Sequence, residues 1–184
     1  MLTLTFLVKT LIELYVMVLL IRIWMQWARC DFYNPFAQFI VKITQPVISP
    51  LRRVIPSIGP IDSSSLLVAF ILTTIKYPLL LLIQVGVLTV DPIFLLAGVL
   101  SLLKSAGTMV FWVIIVRSLM SWISQGRSPV EYVLIQMTEP LMAPIRRFLP
   151  AMGGIDFSAM IVILILYALN YLGMDMFPEL WYSL

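Results

Sequence analysis

The residues with the clearest chemical potential are two pairs of adjacent arginines, each enclosed by prolines. One pair lies in PLRRVIP and the other in PIRRFLP, so apolar residues surround both sets of guanidinium groups. Arginine presents a planar fork of donors that suits phosphate and carboxylate groups, while apolar neighbours can enter a membrane interface beside it. The candidates for binding anionic lipid headgroups or a protein partner are Arg52, Arg53, Arg146 and Arg147. An alternative is that these arginines only fix the membrane topology.

Most familiar catalytic chemistry is excluded by the residue types that the chain lacks. It has no histidine and a single cysteine, Cys30. Disulfide frameworks, Cys/His zinc sites and nucleophiles activated by histidine therefore cannot form, although chemistry by carboxylates alone stays open. We expect a protein that is not an enzyme, with no catalytic residues, no metal and no cofactor.

The elements that must position the arginines are membrane-spanning helices. The 184-residue chain is 61% hydrophobic and 11% charged, with a mean hydropathy of +1.04, whereas about a quarter of the residues in soluble domains are charged. A helix needs roughly 20 mainly apolar residues to cross a bilayer. Four stretches meet this length: 4–27, 64–88, 93–122 and 157–174. The first lacks a basic leader and a clear cleavage site, so we expect it to be retained.

The two arginine pairs belong to two copies of one pattern. QPVISPLRRVIPSIGPID, residues 45–62, aligns with EPLMAPIRRFLPAMGGID, residues 139–156, at an offset of 94 residues. Upstream the match continues at an offset of 95, where Arg22 aligns with Arg117. The chain is therefore predicted to be an internally duplicated unit of span, polar segment and span.

Each predicted unit contains two spans, which bring the chain back to the side where it began. Both polar segments must then lie on the same side of the membrane, and the repeats are parallel. The predicted fold is an all-α integral membrane protein with four transmembrane helices in two tandem repeats. The first repeat covers 1–90 with its segment at 28–62, and the second covers 91–184 with its segment at 123–156.

The distribution of basic residues predicts the orientation. Lysines and arginines occur throughout both polar segments, whereas the connector LTVDPI between the repeats holds only Asp91. Because cytoplasmic loops are enriched in lysine and arginine, we place the segments in the cytoplasm. The termini then face the periplasm, which agrees with an acidic tail carrying the interfacial aromatics Trp181 and Tyr182.

Prolines are expected to break the polar segments into short turns. Short interfacial helices should begin at Pro35 and Pro129, but no helix longer than about two turns is expected among the later prolines. The glycines should supply a positive φ, and the aspartates should cap the next span, a role that we favour over one in transport. The turn and cap positions are Pro46, Pro50, Pro56, Gly59, Asp62, Pro140, Pro144, Pro150, Gly153 and Asp156.

Ionisable and polar residues inside the predicted spans are further candidates, because a charge at the bilayer centre costs roughly 2.5–3.5 kcal/mol on insertion scales. Arg22 and Arg117 each lie five residues before a tryptophan at the cytoplasmic end, so we expect them to extend to the interface. The intramembrane polar candidates are Glu13, Lys76, Lys104 and Asn170.

Lys76 lies near the middle of the second span, immediately before Tyr77 and Pro78. We predict a buried polar contact between Lys76 and Glu13 of the first span, because their estimated depths in the membrane are similar. Lys9 lies four residues before Glu13 and can pair with it on the same helix face.

The duplicated pattern P-x-x-x-P-[LI]-R-R-x-[IL]-P-x-[IM]-G-x-I-D, set between apolar spans, resembles the YggT family, and specifically its proteobacterial members, over essentially the whole chain. Many relatives, including the YlmG proteins, resemble only one of the two units. The second copy here departs from the first where Gly154 replaces Pro60. The resemblance carries over signature positions but no catalytic residues.

The resemblance implies a role in tolerance of osmotic or ionic stress. Our leading expectation is a non-enzymatic inner-membrane protein whose cytoplasmic arginine-proline face binds anionic lipid or a protein partner. The alternatives are a small ion channel or transporter subunit, which the resemblance would relate to potassium, and an assembly factor for a membrane or division complex. The expected partners are membrane lipids and either a membrane protein or a second copy of the chain, without direct nucleic-acid binding.

Overall fold

The computed structural model describes residues 1–150, 152 and 157–184. Within them the chain forms seven α-helices, and four of these are long and apolar enough to cross a membrane, namely α1, α3, α4 and α6. The helices are α1 (Leu2–Trp27), α2 (Pro35–Arg52), α3 (Ser63–Val85), α4 (Ile93–Ile123), α5 (Pro129–Phe148), α6 (Ser158–Met176) and α7 (Pro178–Ser183). The prediction of an all-helical, multi-pass membrane protein is confirmed.

The spans α1 and α3 pack side by side in opposite directions. Glu13 of α1 contacts Lys76 of α3, whereas Arg22, further along α1, contacts Asp62 at the start of α3. The main apolar core forms around the second half of α1, where Leu19 is completely buried. Residues of α2, α3, α4 and α5 also take part in this core, whereas α6 packs in a smaller second cluster.

Helix α4 lies close to α3 because a glycine removes the side chain at the contact. A β-carbon added to Gly98 would lie 2.2 Å from Thr74 Oγ1 and 3.1 Å from the Thr74 Cα. Small residues allow helix backbones to approach in this way inside membranes. Gly98 thus sets the distance between the two central spans.

The amphipathic helices α2 and α5 lie on the same side of the bundle and contact each other. Asn34 Nδ2 donates a 2.8 Å hydrogen bond to the Pro129 carbonyl, and the Asp31 amide donates to Gln136 Oε1 at 3.1 Å. Asn34 also caps α2 by accepting a bond from the Phe36 amide. The expected helices after Pro35 and Pro129 are present, each with the proline in its first turn.

The expectation that prolines would limit these helices to about two turns is wrong. Pro46 and Pro50 lie inside the 18-residue α2, and Pro140 and Pro144 lie inside the 20-residue α5. Each pair is spaced by four residues and lies on the exposed face of its helix. The carbonyls that lose their donors therefore face out of the bundle, where water or headgroups can satisfy them.

Helix α7 was not expected, and it corrects the interpretation of the tail. Trp181 was predicted to be an interfacial aromatic residue, but it is only 7% exposed. Its indole packs where a side chain on Gly173 would stand, and Nε1 donates to Asn170 Oδ1 at 3.0 Å. The tail therefore folds back onto α6, while Tyr182 remains exposed.

Candidate functional site

The polar segments 28–62 and 123–156 each contain one arginine pair, and we call them the first and second arginine segments. The first ends in a tight turn followed by a helix cap. Gly59 has φ +60°, and the backbones of Ile58 and Ile61 exchange two 3.2 Å hydrogen bonds around it. Asp62 Oδ1 then accepts from the Ser65 amide at 3.4 Å, as the capping prediction required. Pro56 and Pro150 both lie outside the helices, as expected, whereas Gly153 and Asp156 lie outside the described residues.

Asp62 does more than cap α3, because it also binds two arginines. Its Oδ2 accepts from Arg22 Nε at 3.3 Å, from Arg52 Nη2 at 2.9 Å and from Ser65 Oγ at 2.8 Å. The Asp62 side chain is completely buried. One carboxylate therefore joins α1, the end of α2 and the start of α3.

Arg22 is buried in the protein rather than extended to the interface, which corrects its prediction. It is 3% exposed, and its remaining contacts are with α2: Nη1 donates to Thr44 Oγ1 at 2.6 Å and Nη2 to Gln45 Oε1 at 3.0 Å. A buried guanidinium requires such partners, and Asp62 supplies the opposite charge. We call Arg22, Thr44, Gln45, Arg52 and Asp62 the arginine–aspartate cluster.

The environment of Asp62 keeps its carboxylate ionised. Burial alone would raise the pKa of Asp62, but the hydrogen bonds from Ser65 and the charges of Arg52 and Arg22 outweigh it and lower the pKa below its ordinary value. The arginine–aspartate cluster thus carries one negative and two positive charges at neutral pH.

The two members of each arginine pair have different roles. Arg52 is held by Asp62 and by Gln26 Oε1, and Arg146 Nη1 donates to Glu139 Oε1 at 2.8 Å. The second members, Arg53 and Arg147, are exposed and make no ion pair within the described part of the chain. The sequence pattern gave no means of separating these roles, because neighbouring arginines look equivalent without their partners.

The predicted contact between Lys76 and Glu13 is present. Lys76 Nζ lies 3.3 Å from Glu13 Oε1 and donates to Ser101 Oγ of α4 at 3.2 Å. The side chain of Lys76 is 3% exposed and that of Glu13 is 40% exposed, so only the lysine is fully enclosed. Lys9 approaches the same carboxylate at 3.9 Å, as its spacing predicted.

The other two intramembrane candidates hold the tail in place. Lys104 Nζ donates to the Trp181 carbonyl at 2.9 Å and lies 5.5 Å from the centre of its ring. Asn170 binds the indole of the same tryptophan. These contacts account for Lys104 and Asn170 as structural partners of α7.

The arginine–aspartate cluster was missed although a signal for it existed. Arg22 near the end of the first span and Asp62 at the start of the next lie at similar depth, which is the reasoning that identified Lys76 and Glu13.

Among residues 1–150, 152 and 157–184, no group of three His, Cys, Asp or Glu side chains is placed to hold a metal ion. The arrangement is suited to ion pairing and to binding anionic groups.

Comparisons with known proteins identify the family of the chain. The model of the CCB3/YggT family matches residues 1–83 and 96–177. The chain is 60% identical to YggT of Escherichia coli and 51% identical to a protein of the proC 3' region of Vibrio alginolyticus, with 99% of each chain covered. A Haemophilus influenzae protein is 41% identical over 95% of this chain and 93% of its own. No solved structure is significantly similar. The chain therefore belongs to the CCB3/YggT family.

Proposed function

We propose that this protein is a non-enzymatic inner-membrane protein built from two parallel family-type units, and that its arginine-proline face binds anionic lipid at the cytoplasmic surface. The observation that carries the proposal is an exposed arginine followed by an exposed apolar residue, which occurs once in each segment. Arg53 stands beside Val54, and Arg147 stands beside Phe148. In each case a cation that makes no ion pair with any described residue stands beside an apolar side chain.

The exposed apolar residues indicate how this face would meet a bilayer. Val54 is 78% exposed and Phe148 is 90% exposed, which is unfavourable in water but suits insertion at the interface. The adjacent guanidinium groups would then lie at phosphate depth. A surface cation contributes about 1 kcal/mol of attraction to anionic lipid, so these contacts would position α2 and α5 rather than retain the protein in the membrane.

The contacts between α2 and α5 support a single continuous face. Because the two helices touch, both arginine pairs can meet one membrane surface at once. The basic residues of this side favour the cytoplasm. We infer that the face supports tolerance of osmotic stress, as the family resemblance implies.

Rescue of osmotic sensitivity tests this function. A strain lacking the chromosomal gene would carry either the native chain or the double variant Arg53→Glu, Arg147→Glu. Arg52 and Arg146 stay unchanged because each is already held by a carboxylate of the protein. The matched control is Arg127→Glu, which reverses an exposed cation outside both arginine pairs.

The double variant is expected to insert normally and to lose rescue, while the control keeps it. Membrane fractionation and protease accessibility would establish insertion. Full rescue by a properly inserted double variant would contradict the proposal.

A transport subunit is the second candidate, and the contact between Glu13 and Lys76 supports it. A half-exposed carboxylate beside a buried ammonium inside a span is a common feature of ion pathways. Reconstituted protein should then show potassium or proton flux that Glu13→Gln or Lys76→Gln abolishes. Flux equal to that of protein-free vesicles would remove this candidate.

A further inference from the structure

An open groove of about 1100 Å³ runs along α2 beside the arginine–aspartate cluster. The residues of α2 that line it recur at helical spacing and so form one face. They include Gln38, Lys42, Gln45, Pro46, Ser49 and Arg52. A second face, with Ile40 and Ile48, is buried in the bundle, and Phe39 and Val47 on a third are exposed. The groove is therefore a polar surface bordered by an apolar one.

The groove presents positively charged donors that the protein does not use. Arg52 Nη2 binds Asp62 and Gln26, but Nε and Nη1 have no acceptor among the described residues. Lys42 is exposed and likewise makes no hydrogen bond or ion pair with any described residue. The lining residues include no carboxylate, because Asp62 is buried behind the arginines. This composition favours an anionic ligand.

The prolines add acceptors to the same groove. In a regular α-helix the amide of residue i donates to the carbonyl of residue i−4. Pro46 and Pro50 have no amide hydrogen, so the carbonyls of Lys42 and Pro46 lose their helical donors. Lys42 and Pro46 both line the groove. The helix that lines the groove thus carries backbone carbonyls without helical donors as well as cationic side chains.

We propose that this groove binds a phosphate group whose substituent carries a hydroxyl or ammonium donor, as glycerol and ethanolamine headgroups do. Lys42 and Arg52 bind the phosphate, and the carbonyls released by Pro46 and Pro50 accept from the substituent. The proposal rests on the proposed function, which places α2 at the bilayer surface. It assigns a defined headgroup site where that function requires only a charged face.

The second arginine segment offers an internal contrast. At the 94-residue offset, Gln136 occupies the position equivalent to Lys42, and Glu139 occupies the position equivalent to Gln45. Glu139 accepts the hydrogen bond of Arg146. The second segment therefore lacks the lysine and carries a carboxylate at the position of Gln45, so we assign the phosphate site to α2 alone.

Calorimetric titration of the full chain in a zwitterionic detergent tests the site. The probes are dihexanoyl phosphatidylglycerol, glycerol 1-phosphate and inorganic phosphate. Lys42→Gln and Gln45→Glu each introduce the residue type found at the equivalent position of the second segment. Pro46→Ala restores an amide donor to the Lys42 carbonyl without changing the charge. Arg127→Gln is the matched control, since it removes one exposed cation that lies outside the groove and outside both arginine pairs.

The native chain should bind at least one probe saturably, and Lys42→Gln and Gln45→Glu should each weaken that binding about tenfold. Pro46→Ala should weaken phosphatidylglycerol and glycerol 1-phosphate binding but not that of inorganic phosphate. Arg127→Gln should change affinity by about twofold or less, because screening limits the reach of a distant exposed charge. If only phosphatidylglycerol binds, the ligand of the groove is a lipid headgroup. If glycerol 1-phosphate binds equally well, the ligand is a free phosphate ester.

Absence of saturable binding by all three probes would overturn the proposal. Equal losses in Lys42→Gln and Arg127→Gln would also overturn it, because binding would then depend on general charge. Either result leaves the proposed function intact if the variant with both Arg53 and Arg147 replaced still loses rescue. Conversely, the variant with both Arg53 and Arg147 replaced could restore osmotic tolerance fully while Lys42→Gln selectively weakens probe binding. This combination would refute the proposed function and support the phosphate site.

Discussion

Arg22 Nε donates to Asp62 Oδ2 across 3.3 Å, and neither residue is more than 3% exposed. The two residues are forty positions apart in the sequence. Their contact fixes the end of α1 against the start of α3, with Arg52 of α2 held by the same carboxylate. The geometry of the first arginine segment therefore depends on one buried ion pair.

Replacing Asp62 with asparagine should destabilise the protein by about 3–5 kcal/mol, because it leaves a buried guanidinium without its counter-charge. Asparagine is also a good helix cap, so the loss would report the charge rather than the cap. Unfolding in detergent, followed by circular dichroism against denaturant, measures the change. Asp175→Asn, at an exposed position, should have little effect; equal losses in both variants would refute the role of the pair.

The stability of the protein should depend on the ionisation of Asp62 in a defined direction. Its pKa is lower in the folded protein than the ordinary value near 3.9. The stabilisation is therefore complete above about pH 4 and is lost as the pH falls through the lower folded pKa. We expect a steeper fall in melting temperature below about pH 4 for the native chain than for Asp62→Asn. Parallel acid profiles for the two proteins would contradict this expectation.

Two glycines of α4 should respond oppositely to alanine. At Gly98 the new β-carbon would overlap Thr74 Oγ1, and we expect a loss of about 1–3 kcal/mol from overpacking. At Gly107 no atom lies within 4 Å of the β-carbon, so alanine should be neutral or stabilise by up to about 1 kcal/mol. Denaturant titration of both variants compares them directly, and similar stability of the two would contradict close packing at Gly98.

The thiol of Cys30 should react slowly in the folded protein. Burial raises the pKa of Cys30 to about 11, and only the thiolate reacts with maleimides. At pH 8 the thiolate fraction is then about 200-fold smaller than for a thiol with a pKa of 8.5. Mass spectrometry should show slow labelling in mild detergent and complete labelling in dodecyl sulfate. Rapid labelling in both would place the thiol at the surface.

Lys76 and Glu13 should be energetically coupled. Glu13→Gln leaves Lys76 buried with Ser101 and without a counter-charge, whereas the added change Lys76→Met removes that charge. The double variant should therefore be more stable than the sum of the two single losses implies. Additive losses in the double-mutant cycle would show that the 3.3 Å contact contributes no net interaction.

The spans and the Asp62 cap could be predicted because hydrophobic length and capping chemistry act locally. The helical course of α2 and α5 through Pro46 and Pro140 could not, because it depends on which face of each helix is exposed. The same limit applies to α7, where a six-residue helix is held by the contacts of Trp181 with α4 and α6. Propensity predicts these elements poorly because tertiary contacts decide them.

The different contacts of Arg52 and Arg53 are also determined by the tertiary structure. The sequence identified both residues as candidates, but only the position of Asp62 shows that Arg52 is already paired. The structure thereby assigns the second member of each arginine pair to the proposed lipid-binding face, whereas Arg52 keeps only Nε and Nη1 for the proposed groove site.

Lipid retention provides the most direct test of the proposed face. The native chain, the double variant Arg53→Gln, Arg147→Gln and the control Arg127→Gln would be extracted from vesicles with equal amounts of phosphatidylglycerol and phosphatidylcholine. Native mass spectrometry would then count the bound lipids. We expect the native chain and the control to retain phosphatidylglycerol preferentially and the double variant to lose that preference. Equal retention of phosphatidylglycerol by all three proteins would contradict the assignment of this face to anionic lipid.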